Sequence, residues 1–409
     1  METILKYPRT PHLEGSCLQV AEKDKLRVPY SELAGKFIVV ERKMDGANSA
    51  VSISDSGDLL LQSRGHYLVG GARERHFNLF KTWAAAHADM FFDLLSGRYV
   101  MYGEFMRTKH SIFYDRLPHY FLEFDIFDKF ENCFLSTGAR RGIIGNAPIL
   151  PVPVIYTGVA PTRLEDLVSL IGPSISKTSL WKETLRELAL RGGLDPNKVL
   201  EKETDLSDLD EGLYIKVEQG DRTIGRCKWV RGGFVQTILG KDEDENPTHW
   251  MDRPFINNQL ADGADIFSPD LKVSWEDILA SSELIKRPTL LSREQFRKKV
   301  FERDKGRCVF CREAAADAHH ILDRKLFKDG GYYLNNGAAV CSKHHLDCEE
   351  GRISVEDIRY ACRIVNMVLP PGLDPGLRYD KWGKNCTGGF KVEGRFLKKQ
   401  NNKDFYKEA

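Results

Sequence analysis

Two periodicities share the chain. Up to about residue 255, runs rich in Val, Ile, Phe and Tyr end in Gly or Asp turns: "GKFIVVERKMDGANSAVSIS", "RYVMYGEF", "HYFLEFDIFD", "EGLYIKVE" and "RTIGRCKWV". Such runs predict strands. Between them, "ARERHFNLFKTWAAAHADMFFDLL" and "TRLEDLVSLI" place apolar residues at helical spacing. Paired strands with helices outside predict an α+β domain. The stretch "GKDEDENPTHWMDRPFINNQLADGADIFSPD" is polar, rich in turn formers and aperiodic, so it reads as a boundary. A short helix, "SWEDILASSELI", follows, and Ser292 with Gln295 forms a capping box opening a second helical pattern. The predicted organisation is a domain over 1–260, a linker with a short helix over 261–291, a small domain over 292–365 and a tail over 366–409. No internal repeat or low-complexity tract interrupts it.

Composition narrows the class. A chain of 409 residues exceeds one ordinary core, and 42% hydrophobic with 29% charged residues reads as soluble and globular. No apolar run approaches the roughly 20 residues that span a bilayer, and the opening "METILKYPRTPHLEGS" lacks the apolar segment of a secretory signal. An intracellular, cytoplasmic protein without membrane contact is expected. The nine cysteines are scattered except for the Cys308–Cys311 pair, a poor disulfide framework and a good metal site. Residues 292–409 carry 24 Lys and Arg against 17 Asp and Glu, a net of +7, which leaves −6 for residues 1–291. A basic C-terminal part suits contact with phosphate backbones. The tail mixes Lys and Arg with Trp382, Phe390, Phe396, Phe405 and Tyr406, as either a nucleic-acid arm or a segment docking on its own domain.

The first chemical constellation begins at Lys43, two residues before the Asp45-Gly46 turn. A lysine beside a turn is ordinarily a solvated surface residue, so the weight falls on what accompanies it. An amine that takes AMP from ATP needs desolvation or neighbouring cations, cations for the phosphoryl oxygens, carboxylates for a divalent metal and an aromatic face for the base. Candidates lie on the predicted strands: Arg64 in "SRG", Glu104 in "YGEF", Phe124 in "FLEFDIFD", and Arg226 and Lys228 on one face of "GRCKWV". Pleat alternation is read as putting Glu41 and Asp45 on the face of Lys43, with Arg42 pointing away. Glu211 and Lys216 in "DEGLYIKVE" are likewise read as sharing a face.

That ordered set resembles the covalent nucleotidyltransferases, the superfamily of ATP-dependent ligases and mRNA capping enzymes. "KMDG" matches K-x-D-G, "EGLYIK" matches E-G-x-x-x-K, and "RCK" matches the terminal basic motif. Asn48 in "KMDGAN", "LQSRGHYL", "YGEF" and "KYPRTPHLEGS" are most similar to RNA ligases of the nick-sealing phage type. The resemblance covers roughly residues 1–260 and implies a nucleotidyltransferase fold of ATP-grasp-like antiparallel sheets with flanking helices. It implies Lys43 as the nucleophile that becomes lysyl-AMP, Phe124 stacked on adenine, Arg64 and Glu104 near the ribose, and Glu211 serving Mg²⁺ or Mn²⁺. Lys216 and Lys228 would bind the nucleotide phosphates, and Asn48 would act in end joining. Arg226 stands where lysine is usual, and Arg42 where many relatives carry an acid; both keep the pocket positive. A DNA ligase or capping enzyme would usually continue into an OB-fold, and no set of five evenly spaced strands follows residue 240.

The second constellation lies in the basic part. Cys308 and Cys311, then Cys341 and His344, are two close ligand pairs with the spacing of tetrahedral zinc, a staple that a small domain needs. Between and beside them stand His319, His320, Asn336 and His345. This resembles the HNH endonuclease motif over roughly residues 293–360 and implies a small zinc-stabilised ββα-metal domain. His320 would be the general base, Asn336 would orient the water, and His319 with His345 would bind a catalytic divalent cation. The expected function is therefore an ATP-dependent polynucleotide ligase, acting on nicked RNA, an RNA/DNA hybrid or DNA, fused to a nuclease. The alternative is a zinc module that grips nucleic acid without cutting. Repair or defence would suit the fusion.

Overall fold

The computed structural model describes residues 3–17, 27–234, 239–241, 247–249, 255–282 and 288–387. Among these, twelve strands form one largely antiparallel sheet. They are β1 (His12–Leu13), β2 (Arg27–Val28), β3 (Phe37–Lys43), β4 (Ala47–Ile53), β5 (Leu59–Ser63), β6 (Tyr99–Phe105), β7 (Phe121–Asp128), β8 (Cys133–Leu135), β9 (Leu150–Pro151), β10 (Val154–Val159), β11 (Gly212–Gln219) and β12 (Arg222–Val230). The order is β10-β3-β11-β12-β8-β7-β6-β4-β5, with β1 beside β12, β2 beside β1 and β9 beside β7. This mixed architecture with an antiparallel sheet agrees with the α+β expectation.

Register decides which side chains meet. Residues directly opposed in an antiparallel pair share a face, and the face alternates along each strand. Lys43 opposes Gly212, Glu41 opposes Tyr214, and Val39 opposes Lys216. Lys228 opposes Tyr214, and Arg226 opposes Lys216. One face of β3, β11 and β12 therefore gathers Glu41, Lys43, Lys216, Arg226 and Lys228. The other buries Ile38, Val40, Leu213, Ile215 and Cys227 with Leu167 of helix α4 (Leu164–Val168).

Helices α1 (Asn78–Ala86) and α2 (Ala88–Leu95) cover the β4–β7 half of the sheet. Phe80, Trp83, Phe91 and Leu95 recur at helical spacing and bury against Phe105 and Phe121. Where the pattern predicts one long helix, the chain breaks at His87, which leaves helical geometry at φ −111° and ψ 23°. There its ring nitrogens lie 3.0 Å from the Trp83 carbonyl and 3.3 Å from that of Ser268. Helix α3 (Thr137–Ile144) is capped by Ser136 and carries a buried arginine, Arg140, to the polar face. Helices α5 (Trp181–Arg191) and α6 (Pro196–Lys202) form a satellite core with Phe113.

Beyond the sheet lie a short hairpin, β13 (Leu239–Lys241) with β14 (Pro247–His249), and helix α7 (Trp275–Ala280), capped by a Ser274–Asp277 box. Helix α8 (Arg293–Arg303) opens with the expected Ser292–Gln295 capping box. A second hairpin, β15 (Asp317–His320) with β16 (Gly337–Val340), packs on α9 (Ser342–Glu349), a β-β-α arrangement around Ile321, Val340 and Cys348.

Helix α10 (Val355–Cys362) reaches back to the large sheet, where the Arg359 guanidinium donates to the Thr157 carbonyl at 2.8 Å. The 374–387 segment then straps the two parts together: Asp374 pairs with Arg141 at 3.0 Å, and the Thr157 hydroxyl donates to the Pro375 carbonyl at 2.8 Å. Of the tail aromatics, Trp382 belongs to this strap; Phe390, Phe396, Phe405 and Tyr406 lie outside the described residues, as does most of the 242–254 boundary stretch.

Candidate active site and metal centres

Lys43 ends β3, and its Nζ lies 2.6 Å from Glu211 Oε2; its side chain is 22% exposed against 4% for Glu211. Burial alone would pull the amine down, but Glu211, Glu104 and Asp45 more than offset it and hold the ammonium above the ordinary lysine range. Burial pushes the Glu104 and Glu211 carboxyls up to about 7 against the opposing pull of Lys43. A largely buried amine and two carboxyls titrating near neutrality thus share one centre.

The turn that carries Lys43 is fixed by contacts. The Asp45 carboxylate accepts the Ser111 and Ile112 N–H groups, each at 2.8 Å, so it anchors a neighbouring loop. Asp45 lies beyond the end of β3, where pleat alternation no longer decides its direction. Gly46 donates its N–H to Glu104 at 3.1 Å, and a Cβ there would stand 2.9 Å from the Phe105 carbonyl oxygen and 2.7 Å from Met106 Sδ. Gly212 is as tightly required: a Cβ would lie 1.9 Å from the Trp229 carbonyl oxygen. Those approaches explain the glycines of "KMDG" and "EG" without any appeal to backbone strain. Glu211 stands just before β11, five residues from Lys216, so the pleat does not put the two on one face as expected. The turn into the strand aims Glu211 at Lys43. Arg42 pairs on the opposite side with Asp210, the residue preceding Glu211, and donates to the Pro173 carbonyl at 3.1 Å.

Lys216 is fully buried and committed to protein partners. Its ammonium lies 2.9 Å from Glu41 and 3.5 Å from Asp125 and donates to the Phe124 carbonyl. Arg140 joins the same network, 2.8 Å from Glu41 and 2.7 Å from Glu123. Arg226 lies 3.8 Å from Asp125 and over the Phe134 ring, and the Tyr7 hydroxyl donates to Asp125 at 2.5 Å. Three carboxylates, Glu41, Glu123 and Asp125, therefore balance three cations under the polar face. Lys216 and Arg226 more than offset burial at Asp125 and hold its carboxyl below the usual range, whereas burial outweighs Arg140 at Glu123 and raises that one.

The other candidates spread along the face. Phe124 falls at a bulge in the β6–β7 pairing and is half-buried, edge-on to Tyr7 at 5.0 Å. Asn48 opposes Glu104 across β4 and β6. Lys228 exerts its charge on Glu211. Arg64 is exposed in the bend after β5. Sequence reasoning missed Arg140, Asp125, Glu123 and Asp210, whose partners lie far away along the chain.

In the C-terminal part, Cys308, Cys311, Cys341 and His344 place their ligand atoms within 4.8 Å of one another. The Cys311 and Cys341 sulfurs are 3.7 Å apart, and His344 Nδ1 lies 3.2 Å from Cys341 Sγ and 3.5 Å from Cys308 Sγ. A tetrahedral zinc with Zn–S bonds of about 2.3 Å gives S–S edges of about 3.8 Å. The donor set fits that ion.

His319 and His345 also converge, with ring centroids 5.4 Å apart, and Glu349 joins them. Glu349 Oε1 lies 3.2 Å from His319 Nδ1 and 3.5 Å from His345 Nε2. Glu349 follows His345 by four residues, one helical turn, a signal the sequence carried and the motif reading passed over. His320 stacks on Phe296 at 4.6 Å, and burial pushes its imidazole down to about 4. Asn336 is fully buried: its amide donates to the Leu322 and Gly331 carbonyls, both at 3.1 Å, and accepts the Leu322 N–H at 2.9 Å. In this structure it holds the loop after β15 rather than facing an open site.

Residues 36–230 match the RNA ligase family model. No curated protein matches the chain. Among solved structures it is similar to Naegleria gruberi RNA ligase with PPi, at 18% identity and TM-score 0.33, covering 50% of this chain and 52% of that one. A mutant of that ligase with ATP and Mn gives 16% identity and TM-score 0.34 over the same shares. The chain thus spans about half the length of these neighbours. No described helix is long and apolar enough to cross a membrane. The segment similar to RNA ligases, residues 36–230, contains Lys43, Asn48, Arg64, Glu104, Phe124, Glu211, Lys216, Arg226 and Lys228.

Proposed function

We propose that the chain is an ATP-dependent RNA ligase acting through lysyl-AMP on Lys43, joined to an HNH-type nuclease unit within residues 292–365. The ligase reading is carried by the 2.6 Å contact between Lys43 and Glu211, at a K-x-D-G turn inside the span that matches the RNA ligase family model. Glu211 would hold Mg²⁺ or Mn²⁺, a cation that would offset phosphoryl charge and draw Glu211 away from the Lys43 amine. Lys43 gives its proton to solvent, and the neutral amine forms a bond to the α-phosphorus of ATP as the bond to pyrophosphate breaks. AMP then passes to a 5′ phosphate, and a 3′ hydroxyl attacks that phosphate and expels AMP. Lys228 and Arg226 line the phosphate path, Phe124 offers a face to adenine, Arg64 and Glu104 serve the ribose end, and Asn48 attends end joining. Lys216, tied to Glu41 and Asp125, must exchange a carboxylate for a phosphate to take part.

The test is incubation with α-labelled ATP and Mg²⁺, followed by denaturing electrophoresis and mapping of the labelled peptide. Label on Lys43, lost in Lys43→Ala, supports the reading; no label, or label elsewhere, sinks it. Nicked duplexes of RNA, RNA/DNA hybrid and DNA then rank the substrates.

The nuclease reading rests on the convergence of His319, His345 and Glu349 beside the zinc-type cluster. These three would hold a divalent cation that polarises the scissile phosphate, His320 would take a proton from water, and Cys308, Cys311, Cys341 and His344 would hold structural Zn²⁺. A supercoiled plasmid with Mg²⁺, Mn²⁺ or Ni²⁺ separates cutting from gripping. Nicking by Lys43→Ala but not by Lys43→Ala/His320→Ala supports a cut-and-join enzyme of repair or defence. No cutting of plasmid or structured RNA leaves a binding module.

A further inference from the structure

The strap that returns from the C-terminal part to the large sheet also delivers a cation to the His319–His345–Glu349 cluster. Lys381 is 7% exposed, and its Nζ lies 2.5 Å from Glu349 Oε1, the oxygen that both imidazoles approach. Its backbone is pinned: the Asp323 N–H donates to the Lys381 carbonyl at 2.9 Å, and the Asp380 carboxylate accepts the N–H groups of Trp382 and Lys384, each at 2.9 Å. Trp382 lies against Gly351, just beyond the helix that bears His345 and Glu349. A lysine stem held at both ends of its loop presents its charge at a defined place, unlike a solvated surface lysine.

We propose that Lys381 is a resident counter-cation of this cluster and competes with the divalent cation for it, so that metal loading requires the ammonium to leave Glu349. The physical reason is that Oε1 cannot serve both charges closely. A divalent ion among His319, His345 and Glu349 would stand a few ångströms from the ammonium, and like charges at that range in a partly buried site repel strongly. The inference rests on the cluster being a metal site. It adds that the strap, which is also tied to the ligase part through Asp374 and Pro375, sets how readily the site fills.

The test is Mn²⁺ binding to the zinc-loaded full chain, read from the free Mn²⁺ electron paramagnetic signal and by calorimetry. The relevant sites are those lost in His345→Ala and Glu349→Gln. Lys381→Met is expected to bind Mn²⁺ at those sites about tenfold more tightly or better at low salt, with the gap narrowing at high salt, while Lys381→Arg stays near the parent. Zinc content and far-ultraviolet circular dichroism check folding, and Lys381→Gln carries the same expectation if Lys381→Met loses its zinc. Unchanged or weaker Mn²⁺ binding in the Lys381 variants, with His345→Ala still losing the site, overturns the competition and leaves the metal site standing. Weaker nucleic-acid binding at unchanged Mn²⁺ affinity overturns it too, in favour of a phosphate-gripping lysine. Parent-like Mn²⁺ binding by His345→Ala and Glu349→Gln removes the metal site itself.

Discussion

Arg140→Met probes the buried charge network beneath the polar face. The side chain is 1% exposed and bridges two carboxylates, at 2.8 Å to Glu41 and 2.7 Å to Glu123. Removing one member of a buried ion pair costs about 3–5 kcal/mol, because the remaining charge is left uncompensated. Here the two carboxylates differ. Glu41 keeps Lys216 at 2.9 Å, so the loss concentrates on Glu123, whose carboxyl burial already raises. Without Arg140 that carboxyl rises further, and protonation limits the penalty. The sign follows: a carboxyl raised in the folded state is favourable below its unfolded pKa, and that advantage is lost as pH rises through the folded value. The variant's deficit should be small near pH 5 and reach roughly 3 kcal/mol near pH 8. Urea denaturation at both pH values measures it, and Arg140→Met/Glu123→Gln should recover part of the loss by removing the stranded charge. Lysyl-AMP formation should slow as well, since Lys216 becomes the sole close partner of Glu41. A deficit below about 1 kcal/mol at pH 8, or no recovery in the double variant, would refute the charge accounting.

Three further outcomes follow from other contacts. Gly46→Ala puts a Cβ 2.9 Å from the Phe105 carbonyl oxygen; it should cost about 1–3 kcal/mol in urea melts and cut lysyl-AMP formation at least tenfold or so, with circular dichroism unchanged. Lys177 is fully buried, donates to the Ser207 carbonyl at 2.7 Å and is lowered by burial to about 8 against the pull of Asp205, Asp208 and Asp210. A base lowered on folding favours the folded state above its unfolded pKa and loses that as pH falls. Relative to Lys177→Met, the parent should therefore gain on the order of 3 kcal/mol between pH 8 and 10.5, read from paired melts at each pH. Cys341→Ser should abolish zinc by elemental analysis and expose the amides of β15, β16 and α9 to hydrogen exchange, while lysyl-AMP formation persists.

What the sequence made legible is what lies close along the chain. The turn after Lys43, the Ser292 cap and the paired spacing of Cys308 with Cys311 are local, and local chemistry fixes them. The break at His87 and the bulge at Phe124 were not legible, since both answer to partners on other elements. The network under the polar face illustrates the limit: Arg140 reaches Glu41 across 99 residues and Lys216 reaches it across 175. Of the two arginines in "TGARRGII", nothing marks Arg140 as the one the fold will bury. Pleat arithmetic does not reach Asp45 or Glu211, since both stand just outside a strand, where a turn sets direction, and Glu211 is an odd five residues from Lys216. Those two off-strand carboxylates are nonetheless among the charges that act on Lys43. A strand end can aim a carboxylate across its neighbour, as Glu211 is aimed at Lys43, while Lys216, inside its strand, is held by Glu41 and the Phe124 carbonyl. The geometry gives the motif letters a physical reason: a lysine at a strand's last position, a glutamate one step before the next strand, and glycines where two backbones nearly touch.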